Sequence, residues 1–296
     1  MLILDGGIGR HLEALGAPFR QPEWSALALI EKPEFVIKAH QDFIRAGADI
    51  ITTNSYAIVP FHIGKKKFDT SASDLLQKAG NLAQKARSME QEKVMIAGSV
   101  PPMFGSYIPQ KFNSIKAPEM LTLFKENLLP FCDMALAETM GSIAEVQTFI
   151  NIFGDCEKPL WVSVTLEDEK LNSELPKLRS GELLKNLLSE INLSKIDALL
   201  FNCSQPEVMQ DAILLSKKTL NSCKLIGVYA NAFQAQPADT EDANVEISKL
   251  RQDLLPIDYK KFAMAWLDVG ADIIGGCCGI GPEHIKALKE LKNIEP

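Results

Sequence analysis

The chain has 296 residues, 46% of them hydrophobic, enough for a sizeable core in one barrel-sized domain or two smaller ones. A formal charge of −7 with no basic stripe excludes a nucleic-acid surface, and the short run Lys65-Lys66-Lys67 reads as a solvated loop. No apolar stretch approaches the roughly 18 residues that a membrane span needs.

The opening "MLILDGG" reaches strand-like residues at once, which leaves no room for a secretory signal and predicts a cytoplasmic protein. In that reducing compartment six cysteines serve packing, metal binding or catalysis rather than a disulfide framework. From the opening onward, eight short apolar runs recur: "MLILDGG", "ADIITTNSY", "VMIAGSV", "MALAETM", "PLWVSVTL", "DALLFNC", "LIGVYAN" and "ADIIGGCC". Most lack hydrophobic/polar alternation, as expected of parallel strands buried on both faces. Between them lie helical stretches such as "EFVIKAHQDFIRAG" and "DYKKFAMAWLDVG", each ending on a glycine suited to a left-handed C′ position, Gly47 and Gly270. Each then runs into a near-identical strand start, "AGADIITTN" and "VGADIIGGC", which marks a repeated helix–turn–strand unit.

Eight such strands with right-handed crossovers predict an α/β fold, a (β/α)₈ TIM-type barrel forming a single domain over residues 1–296. No linker divides the chain. The polar segments "PPMFGSYIPQKFNS" and "NAFQAQPADTEDANVE" each follow a strand and read as long βα loops around the barrel mouth.

In such a barrel the residues just past each apolar run converge on one face. They are Asp5-Gly6-Gly7, Asn54-Ser55-Tyr56, Ser99, Glu138-Thr139, Thr165, Asn202-Cys203, Tyr229 with Asn231, and Cys277-Cys278. Cys203, Cys277 and Cys278 are thus strand-end thiols, while Cys132 precedes a strand and Cys156 and Cys223 fall in connections. Three converging thiols suit zinc with its fourth position open, as catalytic sites keep it. Glycines flanking Cys277-Cys278 would let the backbone turn both sulfurs toward one ion. The alternative is that "GGCCGIGPEH" forms a phosphate-binding loop ahead of a helix that Pro282 starts.

These residues resemble the homocysteine S-methyltransferase family. The likeness covers nearly the whole chain and rests on "LDGGIGRHLEALG", "HQDFIRAGADIITTNSY", "IAGSVPPMFGSY", "ALAET", "FNC" and the terminal "GGCCG". It implies that Cys203, Cys277 and Cys278 bind zinc and that the thiol of homocysteine completes the tetrahedron. It also implies Asp5 and Glu138 near the substrate ammonium, with backbone N–H groups around Gly6 and Gly7 near its carboxylate. For the last two acids the competing roles are a helix cap at Asp5 and a buried structural pair at Glu138.

The reaction implied is zinc-dependent methyl transfer to homocysteine, giving methionine, from a sulfonium donor, S-methylmethionine or S-adenosylmethionine. Rivals are another thiol or selenol as acceptor, betaine as donor, or a non-catalytic zinc- or thiol-binding barrel. The chain stops one helix after "GGCCG", which argues against further domains for folate or cobalamin. A cationic donor favours aromatic faces, and Trp24, Tyr56, Phe104, Tyr107 and Phe233 are placed near the mouth. Arg10-His11 and "VYANAFQ" depart from the family's usual residues and bear on the donor. His11 and His40 read as helical, His62 as a loop residue and His284 as near a helix start, with no shared metal spacing. Replacing Cys203 separates the two readings of the glycine-rich turn: zinc should be lost in one case, activity retained in the other.

Overall fold

A computed structural model describes residues 1–168, 175–220, 224–235 and 249–293. Cys223 and residues 236–246 of the second long loop lie outside these described residues.

All eight apolar runs form strands: β1 (Leu2–Ile3), β2 (Ile50–Thr52), β3 (Met95–Val100), β4 (Met134–Met140), β5 (Leu160–Val164), β6 (Ala198–Asn202), β7 (Leu225–Tyr229) and β8 (Ile273–Ile274). Every neighbouring pair is parallel, in the order β1-β8-β7-β6-β5-β4-β3-β2. A single parallel bridge between Leu4 and Ile50 joins the two edges, so the sheet curls into the expected (β/α)₈ barrel.

The two-residue period of a strand sorts its side chains. Met134, Leu136, Trp161, Ala198, Leu200 and Ile273 fill the barrel interior. Their alternates Ala135, Ala137, Val162, Leu199, Phe201 and Ile274 pack outward under the helices. Burial on both faces explains why the runs show no alternation. Followed toward the C-terminal ends, the inward parity delivers Ser99, Glu138, Ser163, Asn202 and Tyr229 to the top of the barrel.

The opposite end is secured by a repeated device. Asp49, Asp133, Asp197 and Asp272, each just before an even-numbered strand, accept the backbone N–H of Ile3, Ile96, Leu160 and Ile226 at 2.7–2.9 Å. A carboxylate therefore satisfies an amide at the start of each odd-numbered strand, where the ladder would otherwise leave it open. The "GADII" echo in the sequence contains two of these four aspartates.

Helix Pro33–Ala46 starts on a proline and buries Val36, Ala39, His40, Phe43 and Ile44, a stripe at helical spacing. Gly47 ends it at φ +110°, and Gly270 adopts φ +102° after helix Pro256–Asp268, as the C′ glycine pattern requires. Two local expectations are corrected. Lys65-Lys66-Lys67 are solvent-exposed but form the first turn of helix Lys65–Ser88, whose apolar stripe begins only at Phe68. His62 lies in the short helix Pro60–Ile63, buried, with Nδ1 2.8 Å from the Pro22 carbonyl; Pro60 starts that turn and Gly64 ends it. No helix among the described residues is long and apolar enough to cross a membrane.

His40 is fully buried, and neither ring nitrogen has a hydrogen-bond partner in the structure. Burial lowers its pKa from 6.5 to about 4, so the folded protein holds it neutral where the unfolded chain would protonate it. Its stability contribution is complete above pH 6.5 and is lost as pH falls toward 4. Between pH 7.5 and 5 this group should cost about 2 kcal/mol. Urea midpoints at both pH values should show that loss in the wild type and a correspondingly smaller one in His40→Leu.

Candidate functional site

The first and last strands meet at the barrel top through backbone alone. Gly7 N–H donates to the Ile280 carbonyl at 2.9 Å, and Gly276 N–H to the Asp5 carbonyl at 3.0 Å. A Cβ on Gly6 would stand 2.1 Å from the Ile280 oxygen, and one on Gly7 2.5 Å from the Cys277 oxygen. These glycines are therefore required by the close approach of two chain segments. That contact seats Cys277-Cys278 directly beside the strand carrying Asp5.

Cys203, at the end of β6, faces the same point. The three Sγ atoms lie within 4.8 Å of one another, Cys203 and Cys277 being 2.6 Å apart. Among the described residues no other histidine, cysteine or carboxylate joins this group. The Cys277 and Cys278 thiols and the Cys278 amide donate toward Cys203, which lowers its pKa well below the usual thiol value. Hydrogen bonding to Cys203 raises the other two thiols in turn. Zinc sits about 2.3 Å from each of its thiolate ligands in a tetrahedron, which spaces the sulfurs about 3.8 Å apart. The donor set fits such an ion with one position left over, and Cys203 and Cys277, 2.6 Å apart, would separate by about 1 Å to reach that spacing.

The glycine-rich turn has little to offer a phosphate. Gly275, Gly276, Cys277 and Ile280 N–H groups donate to the carbonyls of Val228, Asp5, Ala230 and Cys277 at 2.9–3.0 Å. Gly281 N–H donates to His284 Nδ1 at 3.2 Å. With these amides spent, the turn lacks the open nest of donors that an anion site uses.

Two carboxylates share the cavity with the sulfurs. Asp5 is 2% exposed and accepts the Thr52 N–H at 2.7 Å and the Thr52 hydroxyl at 3.2 Å, so it does not cap the helix that follows. Glu138 accepts the Ser99 hydroxyl and makes no ion pair among the described residues. Burial pushes the Asp5 pKa well above the usual carboxylate range and that of Glu138 up to about 7. Each is a buried acid that a nearby cation would ionise.

Four non-glycine residues have left-handed φ among the described residues: Trp24 at +46°, Tyr107 at +64°, Thr139 at +58° and Cys203 at +53°. All four line this cavity. Such conformations cost about 1–3 kcal/mol each and persist where surrounding contacts over-determine them. The contacts are visible: Tyr107 Oη donates to the Cys203 carbonyl at 3.1 Å, and Arg179, buried and paired with Asp168, lies 4.9 Å over the Tyr107 ring.

Of the strand-end residues read from the sequence, Asp5, Tyr56, Ser99, Glu138, Thr139, Asn202, Cys203, Tyr229, Cys277 and Cys278 line the cavity. Asn54, Ser55, Thr165 and Asn231 lie buried behind it, bonding Ser25, Ser99, Ser204 and Gln205 respectively. Trp24, Tyr56, Tyr107 and Phe233 reach the cavity, but Phe104 does not: it packs edge-on against Phe112 outside the barrel mouth. Helical and loop residues account for most of what sequence reading missed, Phe19, Gln21 and Ser106 among them. Thr52 was also missed, although inward parity from Ile50 would have found it.

The chain matches the family described as homocysteine S-methyltransferase over residues 2–291. It is 28% identical to homocysteine S-methyltransferase 1 of Arabidopsis thaliana, an alignment covering 98% of this chain and 93% of that protein. It is 25% identical to the selenocysteine methyltransferase of Astragalus bisulcatus over 98% of this chain and 91% of that one. The metallated form of the homocysteine methyltransferase MmuM from Escherichia coli superposes with a TM-score of 0.78 at 25% identity, covering 98% and 96% of the two chains. Fold and likeness together define a barrel enzyme of the methyltransferase class. The chain belongs to the homocysteine S-methyltransferase family.

Elemental analysis after dialysis against zinc should give about one ion per chain for the wild type. Cys203→Ser, Cys277→Ser and Cys278→Ser should each lose it, while Cys156→Ser, far from the trio, should keep it.

Proposed function

We propose that this protein moves a methyl group from a sulfonium donor, S-methylmethionine or S-adenosylmethionine, onto the sulfur of homocysteine, and that Cys203, Cys277 and Cys278 hold zinc for the purpose. The observation that carries the reading is a trio of cysteine sulfurs within 4.8 Å, opening on a cavity that also holds two buried carboxylates. When bound there, zinc would supply the Lewis acidity that keeps a substrate thiol deprotonated at neutral pH.

The protein's own groups set the geometry. Asp5 and Glu138 take the substrate ammonium, which in this buried place favours their ionised forms and offsets the cost of burial. Gly7 N–H is already bonded to Ile280, so the carboxylate contact falls to the Gly6 amide and the amides beyond Gly7. With both ends held, the sulfur points at the methyl carbon in a near-attack position. In the transfer a new carbon–sulfur bond forms on homocysteine as the donor's breaks, and the departing thioether keeps the electron pair.

Trp24, Tyr56, Tyr107 and Phe233 form the walls where the donor cation would lie. Their ring faces stabilise a sulfonium without competing for the methyl group. Trp24 and Tyr56 are held edge to face at 6.1 Å, and Tyr56 is fixed by a 2.7 Å hydrogen bond to Ser106. Arg10 packs 5.8 Å over the Phe233 ring, its charge partnered by Glu13 at 2.6 Å. A selenol acceptor is the second reading, favoured by the likeness to a selenocysteine methyltransferase.

Methionine formation on zinc-loaded protein should appear with homocysteine and one of the two sulfonium donors and stay at background with betaine. Selenocysteine tested alongside should turn over more slowly if homocysteine is the main acceptor. A strong chelator should abolish turnover and zinc should restore it; undiminished activity in metal-free protein would sink the zinc reading.

A further inference from the structure

β4 carries an irregularity at the point where it meets the site. Ala137 pairs with Val162 and Met140 with Val164, so three steps on β4 match two on β5. The extra residue lies in the Glu138-Thr139 stretch, and Thr139 there takes φ +58°. For a β-branched residue this is a strained outlier, and bulges of this kind re-aim side chains beside active sites.

A side chain from two strands away holds it. Asn202 Oδ1 accepts the Thr139 N–H at 2.9 Å, and Asn202 Nδ2 donates to the Thr139 hydroxyl at 2.9 Å. Oδ1 also accepts the Ser163 hydroxyl at 2.7 Å from the intervening strand, and Nδ2 stands 4.0 Å from Cys277 Sγ. Because the Thr139 amide can only donate, the orientation of the Asn202 amide is settled by the network itself. Thr139, Ser163 and Asn202 are all buried, where such bonds are stronger than in water.

We propose that Asn202 is a positioning residue for substrate specificity: by clamping Thr139 in its left-handed conformation it aims Glu138 into the cavity at a fixed distance from the sulfur centre. That distance selects an amino-thiol in which amine and sulfur are separated by the homocysteine spacing. The inference rests on the reading of Glu138 as a partner of the substrate ammonium. Thr139 would relax toward an ordinary strand conformation without the clamp, and Glu138, its neighbour, would turn with it.

The test compares steady-state constants for homocysteine and for 4-mercaptobutanoate, the same thiol without its amine, on zinc-loaded Asn202→Ala, Glu138→Gln and the Asn202→Ala/Thr139→Gly pair. Asn202→Ala should raise KM for homocysteine about tenfold, leave KM for 4-mercaptobutanoate unchanged and retain its zinc. Glycine adopts φ > 0 without strain, so adding Thr139→Gly should recover most of the lost affinity. Selectivity for homocysteine over the one-carbon-shorter cysteine should fall in Asn202→Ala and return in the pair. Equal losses for both acceptors, loss of zinc, or no recovery in the pair would each overturn the proposal. If Glu138→Gln raises KM for homocysteine while Asn202→Ala does not, this inference alone fails. If Glu138→Gln has no effect, the ammonium reading fails beneath it.

Discussion

The structure depends on how closely the two ends of the chain approach at the β1–β8 seam. Leu4 N–H bonds the Ile274 carbonyl at 2.8 Å, and the following loops then interlock through Gly276 to Asp5 and Gly7 to Ile280. Side chains at Gly6, Gly7 or Gly276 would occupy space already taken by Ile280 and Cys277. Because the seam closes last in sequence terms, a carboxylate near residue 5 and thiols near residue 278 meet only when the barrel is complete. The site is thus a product of closure, and its integrity reports on the whole fold.

Inside that closed wall, strand parity determines the chemistry of the cavity. Apolar side chains fill the barrel below, with Trp161 and Leu200 among them, and the next inward position on several strands is polar. Ser99, Glu138, Ser163 and Asn202 therefore sit directly over an apolar plug. Low dielectric raises the cost of an unpaired carboxylate and strengthens its attraction for a cation once one arrives. The raised pKa values of Asp5 and Glu138 express the first half of that balance.

Strain is concentrated in the same place. Trp24, Tyr107, Thr139 and Cys203 come from four different connections or strand ends, yet their left-handed backbones border one cavity. Each is braced by neighbours that hold it away from its relaxed conformation. Tyr107 spans from the loop after β3 to the carbonyl of Cys203, and Arg179 backs its ring with a buried ion pair to Asp168. Such preorganisation trades stability for placement, which is the usual compromise at a site where geometry sets the rate.

The amino-acid sequence by itself determined the architecture, because eight doubly buried strands leave uninterrupted apolar runs and the helices between them end on glycines with recognisable spacing. It also exposed Cys203, Cys277, Cys278, Asp5 and Glu138, since residues past each run must converge in a barrel. It left Asp5 open between a helix cap and a group facing the cavity, and did not separate Tyr107 from Phe104. Those choices turn on contacts between residues tens of positions apart, which no local pattern encodes. The glycines around the paired cysteines show the difference most plainly. Their presence was legible, but their reasons, a Cβ on Gly275 that would strike Leu4, one on Gly276 that would strike the Ile280 side chain, and a left-handed φ of +84° at Gly279, exist only in the folded barrel.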